Sequence, residues 1–536
     1  MVRRSPVRRA VWLLPLSATL ALVCALAAFG ATTHSSAAAT LMVDNSFTIK
    51  TSDPQRAFDP TASIVDRAIY DTLFTYNKGD LTTPIPLLVQ SWNAANGGKT
   101  FTFQLKPNVH FANGSPLTSA DVVFSMNRLI NLKGNPAFLL AGITVSARGK
   151  YTVVMKSATP ATQLTAILAN PSTGIVNSKL VKAHGGSAAA DASTADKAEQ
   201  FLNSAASIGA GSGPYTLKSY STTSQVTLTP NPKYWGTKPA FGTVVVRNML
   251  APTQLLNVQR GSHEVAIDLS ADQAQTLKGN SKVRVSLQPS TWVFWLFTNN
   301  DSSVSSITSN KQFQTAVRYA LDYKSIVSIA GPGAIQAPGI IPSMFLGSLP
   351  QKDAIKQNLT KAKSALSAAG VGNQEVTLEY PSDLTINGVP FTTMAQKVQA
   401  SLQSAGFNVA LSGAPTSNWL TKYRDGKMAF GLSLWGPDYP DPADYLAFTP
   451  GQLVGIRAGW PKGSDAAIEK LAAKALVTTS AKARKSLYQQ IQLQLNERGP
   501  FIPLLQPTQV FVATSDLTNA VYNSVYSVDV THVSPK

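Results

Sequence analysis

The sequence predicts an α/β protein of two or more lobes, and three observations predict it. The chain of 536 residues is too long for a single hydrophobic core of ordinary size. Its 44% hydrophobic and 14% charged residues, with 35 Gly and 33 Pro, describe a globular chain rich in turns. Its second half repeats one local device, a helix closed by glycine and followed by a short apolar strand, which is the pattern of βαβ layers.

At the N-terminus, Arg3, Arg4, Arg8 and Arg9 precede an apolar run from Ala10 to Ala31 and the small residues Ala37, Ala38 and Ala39. This is the layout of an export signal over 1–39, with cleavage expected near Ala39. The same run is long enough to stay as a membrane anchor. Cys24, the one cysteine, lies inside it, so the mature chain would have no thiol and no disulfide. Ala21, Leu22 and Val23 do not form the pattern that precedes a lipidated cysteine. An exported, unlipidated protein in the periplasmic space or at the cell surface is therefore expected. The net charge of +18 falls to +14 without the four signal arginines. No basic run interleaved with aromatics follows Arg9, and export removes nucleic acid as a partner.

Thr100 to Leu105 (TFTFQL) alternates with the period of a half-buried strand. A turn follows at Asn113 and Gly114, and Thr118 stands three residues before Asp121, the spacing of a capping box. The helix it opens is expected to carry Val123, Met126 and Ile130 on one face. Ala183 to Asp196 is small and polar and reads as an exposed loop or frayed helix start without function. GAGSGP, Gly209 to Pro214, lacks the order of a phosphate-binding loop and reads as a tight turn into a strand from Tyr215 to Tyr220. Leu359 to Ala369 and Ala395 to Ala405 read as helices closed by Gly370 and Gly406, each followed by a strand, at Val376 and Asn408. A late helix with Leu487, Ile491 and Leu495 on one face precedes Pro500 and the strand FIPLL.

The chemistry of common enzymes is missing. The five histidines, His34, His110, His184, His263 and His532, are scattered singly without metal-ligand spacing, and there is no GxSxG. No metal and no cofactor are expected. The best catalytic candidate is the pair Asp438 and Asp441 in WGPDYPDP, since a glycosidase needs two acids. Pro437, Pro440 and Pro442 make that loop stiff, and carboxylates in such loops ordinarily cap local backbone.

Several segments together resemble the extracytoplasmic solute-binding proteins of family 5, the peptide, dipeptide and nickel receptors of ABC importers. They are FDPTASIVDRAIYDTLF from Phe58, TFTFQLKPNVHFANGSPLTSADVVFSMNR from Thr100, GSGPYTLKSYSTTSQVTLTPNPKYW from Gly211, FQTAVRYALDYKSIV from Phe313, WGPDYPDP from Trp435, and ARKSLYQQIQLQLNERGPFIPLL from Ala483. The resemblance spans nearly the whole mature chain. It implies a bilobal type II periplasmic-binding-protein-like fold with an extra subdomain in the first lobe. The expected division is 40–75, 205–291 and 506–536 for the first lobe, 76–204 for its subdomain and 292–505 for the second lobe. The chain would change lobe near Pro289 to Trp295 and near Leu505 to Gln509.

The resemblance also implies a function: a non-enzymatic receptor that captures a short peptide or related amine between its lobes and delivers it to an ABC permease, as a monomer. Asp438, three residues after Trp435, matches the acid that pairs with a peptide α-ammonium. Trp435 and Trp419 match pocket tryptophans, although Trp419 also suits core packing. Thr61, Ala62 and Ser63 match an edge that meets the peptide through main-chain hydrogen bonds, and Phe138 is a further ligand contact. No second charged residue matches an anchor for the peptide C-terminus. Nickel complexes, opines and sugars are alternative ligands within the same class. A secreted glycoside hydrolase using Asp438 and Asp441 is the alternative from another class.

Overall fold

The computed structural model describes residues 39–81, 83–371 and 373–536. The arginine-led apolar run and Cys24 lie outside the described residues. The first strand begins at Thr40, immediately after the expected cleavage site. Among the described residues no helix is long and apolar enough to cross a membrane.

The protein is bilobal. One lobe is built on a seven-stranded sheet in the order Val283–Pro289, Thr508–Thr514, Glu264–Ala266, Thr40–Asn45, Thr243–Asn248, Gln225–Pro230 and Tyr215–Ser219. The other is built on a six-stranded sheet in the order Ile335–Gln336, Phe501–Gln506, Val293–Thr298, Phe430–Trp435, Glu375–Pro381 and Asn408–Ala414. A separate four-stranded sheet, from Val89–Ala95 to Ile143–Ala147 through Thr100–Leu105 and Thr152–Ser157, forms the subdomain.

The chain passes between the two large sheets twice, and the crossings lie side by side. Val283–Pro289 pairs antiparallel with Thr508–Thr514, with Pro289 opposite Thr508. Just beyond, Ser290 N–H donates to Pro507 O at 2.8 Å and Gln506 Nε2 donates to Ser290 O at 2.8 Å. Val293–Thr298 then enters the six-stranded sheet between Phe430–Trp435 and Phe501–Gln506.

Burial follows the pleat. Trp295 and Phe297 join a cluster shared with Phe103 and Met155 of the subdomain, while Phe294 and Leu296 face the opposite side against Phe391 and Ile502. A strand buried on both faces reads as an unbroken apolar run, and VFWLFT is one. The shared cluster packs the subdomain against the second lobe.

Most of the expected elements form. The strand Thr100–Leu105 alternates in burial, and Gly370 closes the helix Leu359–Ala369 at φ 69°. Gly211 and Gly213 lie against the end of the helix Pro60–Ile69, where an added Cβ would come within 2.1 Å and 2.5 Å of backbone oxygens. That close approach, rather than phosphate binding, is what GAGSGP serves. The helix Ser119–Leu132 opens with the Thr118–Asp121 capping box. Its buried stripe is Val122, Met126 and Leu129, with Val123 and Ile130 only half-buried, one position away from the face expected.

The segment 183–196 is largely exposed and carries one short helical turn, Ala192–Ala195. It ends in Asp196, which is buried and accepts two hydrogen bonds from Arg128, at 2.8 and 2.9 Å. Arg128 also holds Asp53 through two bonds of 2.6 Å and Gln55 at 2.8 Å, with none of its side chain exposed. Burial pushes the Asp196 carboxyl up, but the hydrogen bonds and charge of Arg128 outweigh it and bring it down to about 2. Its stabilising contribution is thus complete above the ordinary carboxylate range and is lost as pH falls toward 2. Removing one partner of a buried ion network strands the others, so Arg128→Met is expected to lower folding stability by about 3–5 kcal/mol, read as a shift of the urea midpoint. A loss under about 1 kcal/mol would show that the network is dispensable.

Candidate functional site

The strand Phe430–Trp435 delivers the loop 436–440 to the cleft. Gly436 is there for clearance, because a Cβ would lie 2.6 Å from the Trp292 ring. Pro437 and Pro440 fix φ on either side of Asp438 and Tyr439 and remove two backbone donors. The loop is tied down at its end by Asp441, whose carboxylate accepts two bonds from Arg484, at 2.6 and 3.0 Å, and one from Ala443 N–H at 2.8 Å. Asp441 is therefore committed to holding the loop, which leaves the paired-acid hydrolase arrangement without its second free carboxylate.

Asp438 is placed differently. Its backbone N–H donates to Asp444 Oδ2 at 3.2 Å and its carbonyl accepts from Asn170 Nδ2 at 3.4 Å, across the cleft. No described protein group donates to its carboxylate. Burial without compensation pushes that carboxyl up to about 6. Asp444 is more deeply buried, and its own desolvation, then the charge of Asp438, hold it well above the usual carboxylate range although Trp435 Nε1 donates to it at 3.0 Å.

Two cavities meet at this loop. The smaller, about 300 Å³, lies among Phe58, Ser63, Asn170, Trp292 and Tyr522. The larger, about 650 Å³, lies among Phe138, Ile167, Trp435, Asp444 and Leu476. Asp438 and Tyr439 line both. The Phe58 and Phe138 rings, edge to face at 5.5 Å, put one ring on each cavity. Volumes of this order suit a small ligand.

The structure thus gathers Asp438, Trp435, Phe138 and Ser63 around the two cavities. Trp419 lies apart: it is 5% exposed, stacks on Tyr423 at 5.2 Å and lines neither cavity. Thr61, Ala62 and Ser63 stand next to the smaller cavity, which Ser63 lines. They form the first turn of the helix Pro60–Ile69, where Asp59 accepts from Ala62 N–H at 2.9 Å and its carbonyl accepts from Ser63 N–H at 3.0 Å. Thr61 is buried and its hydroxyl is bonded to Asn45. Their main chain is spent on the helix cap, and only the Ser63 side reaches a cavity.

Asn170, Trp292, Tyr522 and Asp444 were not found from the sequence. Asp444 alone had a local signal, an acid six residues after Asp438 in the same loop.

The family described as bacterial extracellular solute-binding proteins, family 5 Middle, matches residues 83–452. The "Probable D,D-dipeptide-binding periplasmic protein DdpA" of Escherichia coli (strain K12) is 29% identical over 489 residues, covering 88% of this chain and 90% of that protein. The "Nickel-binding periplasmic protein" of the same organism is 22% identical over 494 residues, covering 87% and 88%. Among solved structures, HbpA2 from Haemophilus parasuis shares the fold at a TM-score of 0.80 and 21% identity, over 93% of this chain and 100% of that one.

The uncompensated carboxylate has a stability signature. Its folded-state pKa of about 6 lies above the unfolded value, so the folded protein binds this proton more tightly and loses stability as pH rises from about 4 to about 6. Asp438→Asn is expected to stabilise the free protein by about 1–3 kcal/mol at pH 7.5 and to have almost no effect near pH 4, measured by urea denaturation at both values. Destabilisation at pH 7.5 would mean that a protein group satisfies the carboxylate after all.

Proposed function

The chain belongs to the bacterial extracellular solute-binding proteins of family 5, and from that premise we propose that it is the receptor of an ABC importer for short peptides or similar amines. It would work as a monomer outside the cytoplasm, binding its ligand without chemical turnover and handing it to a membrane permease. Residues 40–75, 205–291 and 506–536 are assigned to one lobe, 76–204 to its subdomain, and 292–505 to the other lobe.

One observation carries the reading. The Asp438 carboxylate is desolvated at the meeting point of two cavities and accepts no hydrogen bond from the described protein. A buried anion without a partner is costly, and a ligand ammonium would supply both counter-charge and donors. Trp435 and Phe138 would give apolar contact that tolerates varied side chains. The relative named for D,D-dipeptides supports a peptide.

Asp438→Asn should weaken binding of a free dipeptide by about 2–5 kcal/mol in titration calorimetry while the protein stays folded. N-acetylation of the peptide should cost a similar amount, and the two losses should not add, because each removes the same pair. For the wild type, affinity should hold above pH 6 and fall as pH drops through about 6, since Asp438 must be ionised to meet the ammonium. Equal affinity for free and N-acetylated peptide would refute the assignment and move the ligand to a neutral solute.

We also propose cleavage of the signal near Ala39 and no lipid at Cys24. N-terminal sequencing of the exported protein should begin near Thr40, and a mature chain starting at an acylated Cys24 would overturn this.

A further inference from the structure

The larger cavity is lined by three acids, Asp438, Asp444 and Glu469, and one base, Lys462. Asp444 differs from the others in how it is held. It lies in the turn Pro442–Phe448 and is only 7% exposed. Both bonds that reach its carboxylate end on the same oxygen: Oδ2 accepts from Trp435 Nε1 at 3.0 Å and from the Asp438 N–H at 3.2 Å. Among the described residues nothing donates to Oδ1, and no basic side chain pairs with it. Each carboxylate oxygen can accept hydrogen bonds of its own, so one side of this group is left to the cavity.

The remaining charges do not supply what is missing. Glu469, in the first turn of the helix Ala466–Val477, accepts from Gly463 N–H at 2.6 Å and adds to the negative side. Lys462 is exposed, so solvent screens it, whereas Asp444 acts from a buried position where screening is weaker. The neighbouring walls are apolar, with Leu139, Ile167, Leu446 and Leu476. Apolar walls around a buried acid suit a side chain with a methylene stem and a cationic head.

We propose that Asp444 is a specificity-determining residue that receives the side-chain ammonium of the ligand residue whose α-ammonium is held by Asp438, so that the receptor prefers short peptides beginning with lysine or a similar basic residue. This deepens the reading of Asp438 and rests on it. Asp438 meets a group that every free peptide has, and Asp444 meets one that only a basic residue adds. The bond from the Asp438 backbone sets the two acids side by side on the cavity wall. Burial of Asp444, then the charge of Asp438, favour its protonated form in the empty protein, and an arriving ammonium drives that proton off. The ionisable groups about it are Asp438, Tyr439, Asp441 and Tyr445 of its own loop and turn, with Lys462 and Glu469 from the following segments.

The test is calorimetry at neutral pH on the full mature protein with lysyl-alanine, norleucyl-alanine and the N-acetyl form of each, for wild type, Asp444→Asn and Asp438→Asn. Norleucine keeps the stem of lysine without its amine. Lysyl-alanine should bind wild type about tenfold more tightly than norleucyl-alanine, and should release more protons, read from the dependence of the heat on the ionisation enthalpy of the buffer. Asp444→Asn keeps an oxygen for the Trp435 and Asp438 bonds, so its urea midpoint should match or exceed that of wild type. It should weaken lysyl-alanine about tenfold, leave norleucyl-alanine within about twofold and abolish the extra proton release. Asp438→Asn should weaken both peptides alike. If wild type binds the two free peptides equally while N-acetylation still costs affinity, or if Asp444→Asn weakens both by the same factor, the role of Asp444 is wrong and that of Asp438 stands. If neither peptide binds wild type at millimolar concentration, the peptide reading falls and the inference with it.

Discussion

The cleft hangs on one ladder, the pairing of Val293–Thr298 with Phe430–Trp435 on one side and Phe501–Gln506 on the other. The first of these strands has just crossed from the seven-stranded sheet, the third is about to cross back, and the second ends in the acid loop. Both crossings and the loop are therefore set by the same hydrogen bonds and by side chains buried on both faces. A register slip by one residue would exchange Trp295 and Phe297 for Phe294 and Leu296 and put side chains of the wrong shape into both cores at once. The hydrophobic demand of this sheet thus fixes where Asp438 stands without any contribution from the ligand.

Three acids within seven positions then take three different states. Asp441 is neutralised by Arg484 and caps the turn that follows. Asp444 accepts from Trp435 and from the Asp438 backbone, and so orients both the aromatic wall and the loop. Asp438 is what those two leave over, a carboxylate positioned by its neighbours and satisfied by none of them. Prolines make this division stable, since a loop with fixed φ angles cannot relax to bring a donor to the remaining acid. Composition and spacing alone made Asp438 and Asp441 look equivalent; their environments separate them.

What was legible in the sequence is what depends on neighbours along the chain. The period of TFTFQL, the Thr118–Asp121 box and the glycine-closed helices are local, and the structure has them. The buried partnership of Asp196 with Arg128 joins residues 68 positions apart, and nothing in a small polar stretch announces it. Asn170, Trp292 and Tyr522 reach the cleft from three separate segments, so no local motif contains them. The helix that carries Thr61 to Ser63 does have a local signal, since Asp59 and Pro60 are a cap residue followed by proline at the first turn. Trp419 shows the remaining ambiguity, because a tryptophan on an amphipathic helix serves a core and a pocket with the same pattern.

The lobes touch in this structure, and that has a consequence for an empty receptor. The Asn170 bond to the Asp438 carbonyl and the cavities lined from several segments go with a buried Asp438 carboxylate in this arrangement. At neutral pH the desolvation behind its raised pKa weighs against this arrangement when it is empty. A cationic ligand cancels that cost only when it sits at Asp438, because a ligand shifts the equilibrium by its differential affinity for the two forms and by nothing else. A solute of the same shape without the cation would fill the cavities and leave the bias in place. The acid that anchors the proposed ligand would thus also keep the empty protein from presenting itself as loaded, and both effects come from one side chain denied a protein partner.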